Sequence, residues 1–221
     1  MANARPASMP RGTELSVREE DPARPVRIVG LAGSPRRGGN TEHLLDSFLA
    51  GAAGCGALVD KVVLARLKVK CCVACEKCFE TGTCSIRDDF QLVFDKLLTA
   101  DVIALAAPLY MWNVPAQAKA VIDRSECQWS RRFVLEAPLG GMPAGSRQRR
   151  GVFISTAGRP DANFQGAVMT VEEFFDVWEA QYWGELLCSG IDPMGAIAGS
   201  PDLLQQAHEL GRNVVAGLRI A

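Results

Sequence analysis

Five of the eight cysteines fall between positions 71 and 84, and their spacing is the strongest chemical signal in the chain. Two residues separate Cys72 from Cys75 and Cys75 from Cys78, and five more precede Cys84. Three thiols at this repeated spacing can wind around one side of a compact inorganic cluster, and a fourth a few residues later can complete the ligand set. The spacing therefore predicts a metal centre on these four cysteines.

Free thiols, a zinc ion and disulfides are the alternatives to a cluster. Zinc ribbons usually separate two C-x-x-C pairs by about a dozen residues or more, a wider interval than this segment offers. In the bacterial ferredoxin run the fourth cysteine comes sooner and is followed by proline, whereas Ser85 follows Cys84. Adjacent side chains of an extended segment point in opposite directions, so only one of Cys71 and Cys72 is expected to face a cluster. The regular spacing selects Cys72 and leaves Cys71 as the spare thiol.

The loop from Gly33 to Thr41 is a second candidate site. It follows an apolar run, and Asn40 and Thr41 are suitable N-caps for the apolar helix that comes next. A strand, a glycine-bearing loop and a helix N-terminus form an anion site, because free N–H groups and the helix dipole favour negative charge. The glycines lack the spacing of a dinucleotide fingerprint, and Gly39 and Asn40 stand where a Walker loop has Lys and Ser or Thr. The loop either suits one phosphate monoester, with Arg36 as its charge partner, or is an ordinary strand-to-helix connection.

Apolar runs alternate with helical patterns along the chain, and these elements must position the two candidate sites. Short apolar runs bounded by Gly or Pro predict buried strands, and apolar residues at i, i+3 and i+4 predict helices. Such alternation implies a parallel sheet with helices on both faces. The stretch 128–150 lacks periodicity and is predicted to be a long surface excursion. The strands are predicted at 26–31, 58–67, 101–107, 151–156 and 183–188.

Several segments resemble the NADPH-dependent FMN reductase family of the flavodoxin-like superfamily. The sequences GSPR at 33–36 and GNT at 39–41 are similar to that family's loop for the FMN phosphate. The sequences PLY at 108–110, PAQ at 115–117 and IDR at 122–124 resemble its second flavin loop and the following helix. The resemblance implies a flavodoxin-like, doubly wound α/β fold with a five-stranded parallel sheet in the order 2-1-3-4-5. In that order a ligand binds at the carboxyl ends of the strands, between the first and the third.

The resemblance also implies which residues bind the flavin. The first loop would hold the phosphate, and the loop after the third strand would support the ring with backbone amides and the side chains of Tyr110 and Trp112. The loop after the fourth strand would approach the ring, helped by Gly158. We expect FMN rather than FAD, because the first loop suits a terminal phosphate. The expected FMN-binding residues are Ser34, Arg36, Gly39, Asn40, Thr41, Pro108, Leu109, Tyr110, Met111, Trp112, Asn113, Thr156, Ala157 and Gly158.

The cysteine spacing is similar to the compact motif of iron-sulfur flavoproteins, a branch of the same superfamily. This likeness implies a 4Fe-4S cluster on Cys72, Cys75, Cys78 and Cys84. The remaining cysteines outside the segment are expected to be buried apolar fillers. They are Cys55, Cys127 and Cys188.

Length and charge limit the domain organisation and the partners. The chain has 221 residues, of which 48% are hydrophobic, enough for one α/β domain at 26–221 with a cysteine-rich insertion at 71–84. Residues 1–25 are polar and predicted to be a flexible tail. A net charge of −1 gives no positive field, so neither nucleic acid nor a membrane surface is an expected partner. The chain shows no signal peptide or spanning segment, which predicts a cytoplasmic protein.

Two classes of function follow from the flavin and cysteine motifs. The first is an NAD(P)H-dependent oxidoreductase that passes electrons to a quinone, a free flavin or another small acceptor. Arg147, Arg149 and Arg150 could attract the 2′-phosphate of NADPH, although such a run is usually solvated. The second is an electron-transfer module that takes electrons from a ferredoxin-like protein and has no nicotinamide site. In either class the flavin carries the chemistry, no catalytic side chain is expected, and the resemblance implies a homodimer or larger assembly.

Overall fold

A five-stranded parallel sheet forms the centre of the protein. The computed structural model describes residues 24–137 and 147–219. The strand order is β2-β1-β3-β4-β5, and every neighbouring pair is parallel. The predicted flavodoxin-like fold class and its strand order are therefore confirmed. The strands are β1 (Arg27–Ala32), β2 (Leu58–Val63), β3 (Val102–Ala106), β4 (Arg149–Thr156) and β5 (Ala180–Cys188).

Helices cover both faces of the sheet. One face packs against α1 (Asn40–Gly54) and α7 (Pro201–Arg219), and the other packs against α3 (Phe90–Thr99), α4 (Ala116–Arg124) and α6 (Gln165–Val177). The central strand β3 is buried along its whole length, which explains its uninterrupted apolar sequence. Among the described residues, the remaining α-helices are α2 (Cys78–Thr81) and α5 (Glu126–Phe133).

Two glycines set the close approach of α1 and α7. A Cβ atom at Gly51 would lie 2.0 Å from the carbonyl oxygen of His208, and one at Gly211 would lie 2.0 Å from that of Phe48. Both contacts are with backbone atoms, so a rotamer change could not relieve them. The pair therefore fixes α1, whose N-terminus faces the predicted phosphate loop.

The prediction of an irregular stretch at 128–150 is wrong in its first part. Residues 128–133 belong to α5, and residues 149–150 already belong to β4. Polar and aromatic contacts together hold α5: buried Ser130 donates a hydrogen bond to the carbonyl of Cys78 over 2.6 Å, and Trp129 packs on Phe79. Residues 138–146 of that stretch, and 1–23 of the predicted tail, lie outside the described residues.

Candidate functional site

A small pocket lies where the segments after four strands meet at the carboxyl edge of the sheet. Its volume is about 70 Å³, enough for a phosphate group. Most of the predicted FMN-binding residues line it: Ser34, Arg36, Gly39, Asn40, Thr41, Pro108, Leu109, Tyr110, Thr156, Ala157 and Gly158. The structure thus brings the three loops identified in the sequence to one place.

The loop after β1 is held by a carboxylate from the first turn of α1. Glu42 accepts a hydrogen bond from the Gly38 N–H over 2.7 Å, and Gly38 has a φ of +64°, a conformation that favours glycine. Lys61 pairs with the other carboxylate oxygen of Glu42 at 3.0 Å. Burial alone would raise the pKa of Glu42, but the bonds from Gly38 and Lys61 outweigh it and lower that pKa. Glu42 is therefore ionised at neutral pH and keeps the loop shaped around the pocket.

Asn40 and Thr41 are not N-caps, contrary to the prediction. The cap position is Gly39, without a side-chain cap bond, and the two residues open the helix itself. The first N–H groups of a helix have no acceptor within it, so α1 still presents donors to the pocket. Thr41 is 1% exposed and lines the pocket, whereas the Asn40 side chain donates to the carbonyl of Pro193 and accepts from the N–H of Ile197.

The wall formed by the segment after β5 was missed by the sequence analysis. Ile191, Asp192 and Met194 line the pocket, and Arg36 donates to the carbonyl oxygen of Asp192 over 3.3 Å. A Cβ at Gly158 would lie 2.9 Å from the Asp192 side chain, so this glycine makes room for a protein side chain. No local sequence signal marked this wall, because its contacts with Asn40 and Gly158 form only in the folded chain.

Residues 110–113 form a tight turn beside the pocket. Tyr110 and Asn113 exchange two backbone hydrogen bonds of 2.7 and 2.9 Å, and the central residues Met111 and Trp112 have φ values of 48° and 61°. Positive φ at both central positions is the geometry of a type I′ turn, which glycine usually supplies. Met111 is 96% exposed. Although predicted as FMN contacts, Met111, Trp112 and Asn113 are not among the residues that line the pocket.

The cysteine segment surrounds a separate cavity of about 380 Å³. Cys72, Cys75, Cys78 and Cys84 all line it, and Cys71 does not. The segment lies between the end of β2 and the start of α3, so it also projects from the carboxyl edge of the sheet. All eight cysteines of the chain are free thiols in this structure.

Local contacts distinguish the cysteines of this cavity. Hydrogen bonding to Ser85, 3.3 Å from the Cys75 sulfur, holds the pKa of the Cys75 thiol below its ordinary value. Partial burial raises the pKa of Cys78. Cys127, which we expected to be a buried apolar side chain in the core, also lines the cavity. Its burial, as the main cause, and the nearby Cys84 and Cys78 sulfurs, as the second, raise the pKa of the Cys127 thiol to about 12.

The basic run at 147–150 lies at the other edge of the sheet. Arg149 is 3% exposed and donates to the carbonyls of Leu97, Leu98 and Trp178. Arg150 donates to carbonyls of α7. Both residues belong to the beginning of β4, whereas the pocket lies past its end, and their guanidinium groups donate to backbone carbonyls rather than facing the pocket.

Residues 26–178 match the family described as NADPH-dependent FMN reductase. The chain belongs to this family. An iron-sulfur flavoprotein of Methanosarcina thermophila is 36% identical over 126 residues, which cover 57% of this chain and 66% of that protein. The chain spans between 52% and 66% of the length of three such relatives. The predicted likeness to iron-sulfur flavoproteins is confirmed.

Solved structures of the fold include a flavone reductase, with a TM-score of 0.63 and 18% identity over 88% of this chain and 63% of the other. An NAD(P)H:quinone oxidoreductase from Methanothermobacter marburgensis gives a TM-score of 0.60 at 18% identity, covering 86% and 96% of the two chains. These likenesses establish the fold.

The pocket fits the phosphate of the FMN that family membership implies. The pocket combines the N-terminus of α1 with the Thr41 hydroxyl, a donor set suited to a phosphate. Within 24–137 and 147–219, no three His, Cys, Asp or Glu side chains are grouped to hold a single metal ion. The four thiols instead surround a cavity, an arrangement compatible with a cluster in which each thiolate binds its own iron. In the part of the chain that the structure describes, no helix is long and apolar enough to cross a membrane.

Proposed function

We propose that this chain is an FMN-dependent oxidoreductase that also holds a 4Fe-4S cluster and takes its electrons from NAD(P)H. The observation that carries the proposal is the convergence of two different sites at one edge of the sheet: a phosphate-sized pocket and a cavity lined by four cysteines. When bound, FMN would accept a hydride and a cluster would carry single electrons, so together they would convert electron pairs into single electrons.

In this proposal the residues of the chain bind and orient the two cofactors. The α1 N-terminus and Thr41 would hold the phosphate of FMN, and the loops at 108–110 and 156–158 would border the flavin beyond it. The cluster would be held by Cys72, Cys75, Cys78 and Cys84. Electrons would leave to a quinone, a free flavin or another small acceptor. Membership of the family supports FMN and an oxidoreductase reaction.

A second candidate is an electron-transfer module that accepts electrons from a ferredoxin-like protein. The exposure of the cysteine segment favours it, because Cys72 and Cys75 are exposed and a protein donor could approach a cluster there. The two candidates differ in the electron donor only. Both require FMN and the same four cysteines.

Stopped-flow mixing of anaerobic protein separates the two candidates. Bleaching of the flavin by NADPH or NADH at catalytic rates, with reduced ferredoxin inactive, is the result expected for the proposed reductase. Fast bleaching by reduced ferredoxin alone would favour the module. Both candidates require FMN and a cluster, and each requirement can be tested directly. Heat release and chromatography identify the flavin, and recovery of FAD would contradict the FMN assignment. Iron and sulfide analysis tests the cluster, and protein without iron and sulfide would contradict it.

A further inference from the structure

Arg124, the last residue of α4, is fully buried beside the cysteine cavity and uses all its donors. Its Nε–H donates to the Cys84 sulfur over 3.1 Å. One terminal nitrogen donates to the Lys70 carbonyl at 3.0 Å and to Asp88 at 2.9 Å, and the other to the Ile86 carbonyl at 3.1 Å and to Asp88 at 3.2 Å. A guanidinium has five N–H donors, and these five bonds occupy them.

The surroundings keep this guanidinium fixed and charged. The Asp88 carboxylate, itself 6% exposed, balances the charge, and the Phe90 ring lies 4.6 Å from the guanidinium carbon. Asp88 also accepts from the backbone N–H groups of Lys70 and Phe90, at 2.9 and 3.1 Å. Partial burial by itself would raise the pKa of Asp88, but the bonds from Arg124 and these N–H groups lower it, so the pair stays ionised. The donor that faces Cys84 is therefore pre-organised.

We propose that Arg124 is a positioning residue that sets the reduction potential of the cluster through the Cys84 sulfur, an inference that rests on the proposed function. Reduction adds negative charge to a cluster and its thiolates. A hydrogen bond to a ligand sulfur stabilises the reduced form, so it raises the potential. In the sequence, Arg124 stands out only as the last residue of the family-like IDR segment.

Arg124 also joins the two ends of the cysteine segment, and a test must separate this clamp from the effect on potential. Lys70 precedes the first cysteine, and Ile86 and Asp88 follow the last. Loss of the clamp alone would change how much cluster the protein retains. The potential is read only from the molecules that are loaded, so retention of the cluster and its potential are measured separately. Lysine keeps the positive charge, but its three donors cannot serve the sulfur, two carbonyls and the carboxylate together.

The experiment compares wild type with Arg124→Lys, Arg124→Gln and the control Arg132→Gln, all purified without oxygen. Arg132 is on α5 and bonds to Asp176, so its substitution removes the same charge away from the cysteines. Potentiometric titration followed by electron paramagnetic resonance gives the midpoint potential of the cluster, and iron, sulfide and FMN are measured in parallel. We expect the midpoint to be most negative in Arg124→Gln, intermediate in Arg124→Lys and unchanged in Arg132→Gln, with FMN content equal in all.

Three outcomes would overturn the inference in distinguishable ways. If Arg124 variants that contain the cluster have the wild-type midpoint potential, Arg124 does not set that potential, and the proposed function is unaffected. Loss of iron from both Arg124 variants, with FMN retained, would reduce Arg124 to a structural clamp. Wild-type protein without iron or sulfide would overturn the cluster and this inference together.

Discussion

At the scale of single residues, Thr41 provides a direct test of the phosphate pocket. Thr41→Ala removes one buried hydroxyl donor, so we expect FMN to bind more weakly by about 1 kcal/mol, roughly fivefold in Kd. Fluorescence titration of flavin-free protein measures this. Riboflavin, which lacks the phosphate, should bind Thr41→Ala and wild type equally well. Thr99→Ala, at the end of α3, is the matched control and should leave both affinities unchanged.

An equal loss for riboflavin and FMN would contradict the assignment of Thr41 to the phosphate. Asn40 differs in this respect, because its side chain is bound to Pro193 and Ile197. Removing it would loosen one wall of the pocket rather than a single phosphate contact. The sequence indicated that both residues belong to the site, but the contacts of Asn40 depend on a segment more than 150 positions away.

Serine substitutions test which thiols hold the cluster. We expect Cys72→Ser, Cys75→Ser, Cys78→Ser and Cys84→Ser each to deplete iron and sulfide, because all four line the cavity. Cys71→Ser is the matched control: it changes the same residue type next to Cys72, outside the cavity lining, and should keep both near wild-type amounts. FMN should remain bound in all five variants, since other segments form its pocket. Depletion of iron in Cys71→Ser to the level of the other variants would show that the assignment is wrong.

At the scale of elements, the packing of α1 on α7 decides whether the phosphate loop is held in place. Gly51→Ala puts a methyl group against the His208 carbonyl, which only a backbone shift can relieve, so we expect a loss of about 1–3 kcal/mol in the free energy of unfolding. Gly54→Ala is the matched control in the same helix. A Cβ there meets nothing within 4 Å, and replacing a helical glycine should stabilise by about 0.5–1 kcal/mol.

Urea unfolding followed by circular dichroism, at one fixed FMN concentration, compares the two glycine variants. Equal stabilities of Gly51→Ala and Gly54→Ala would contradict the close packing. A loss of FMN affinity in Gly51→Ala, but not in Gly54→Ala, would in addition link the helix pair to the pocket, because α1 carries the phosphate donors.

The strands and long helices were predictable because each has a strong local signal. Apolar runs and Gly or Pro boundaries located all five strands within a few residues, and the family resemblance supplied their order. Helix α5 lacks such a signal: its buried side chains include Gln128 and Ser130, and its position depends on contacts with α2 and α6. The wall at 191–194 was missed for the same reason, since only the folded chain brings Asp192 against Gly158. Periodicity identifies elements that bury a regular apolar face, whereas the positions of these segments depend on specific contacts with distant parts of the chain.

At the scale of the whole molecule, the candidate cofactor sites lie at one edge of the parallel sheet, and charged groups with structural contacts lie at the opposite edge. Segments at the ends of β1, β3, β4 and β5 form the phosphate pocket, and the segment after β2 carries the cysteines, so the candidate cofactor contacts lie at or beyond the carboxyl ends of strands. At the opposite edge, buried Asp101 binds Arg24 at 2.6 Å and the N–H of Arg27 at 2.8 Å, while Arg149 binds backbone carbonyls. Charged groups there tie chain segments together. This division follows from the rule that ligands bind at the carboxyl ends of parallel strands.

The exposed turn at Met111 and Trp112 gives the last prediction, which concerns assembly. We expect a homodimer in which this turn is covered, because Met111 is 96% and Trp112 51% exposed beside the flavin pocket. Met111→Asp places a charge there without disturbing the turn, since Asp tolerates positive φ, and should shift the protein to monomer in sedimentation velocity at micromolar concentration. Leu92→Asp is the control, because Leu92 is 56% exposed on α3 and outside the turn. A wild-type monomer with FMN fully bound would contradict the prediction, and so would a Met111→Asp protein that sediments as wild type does.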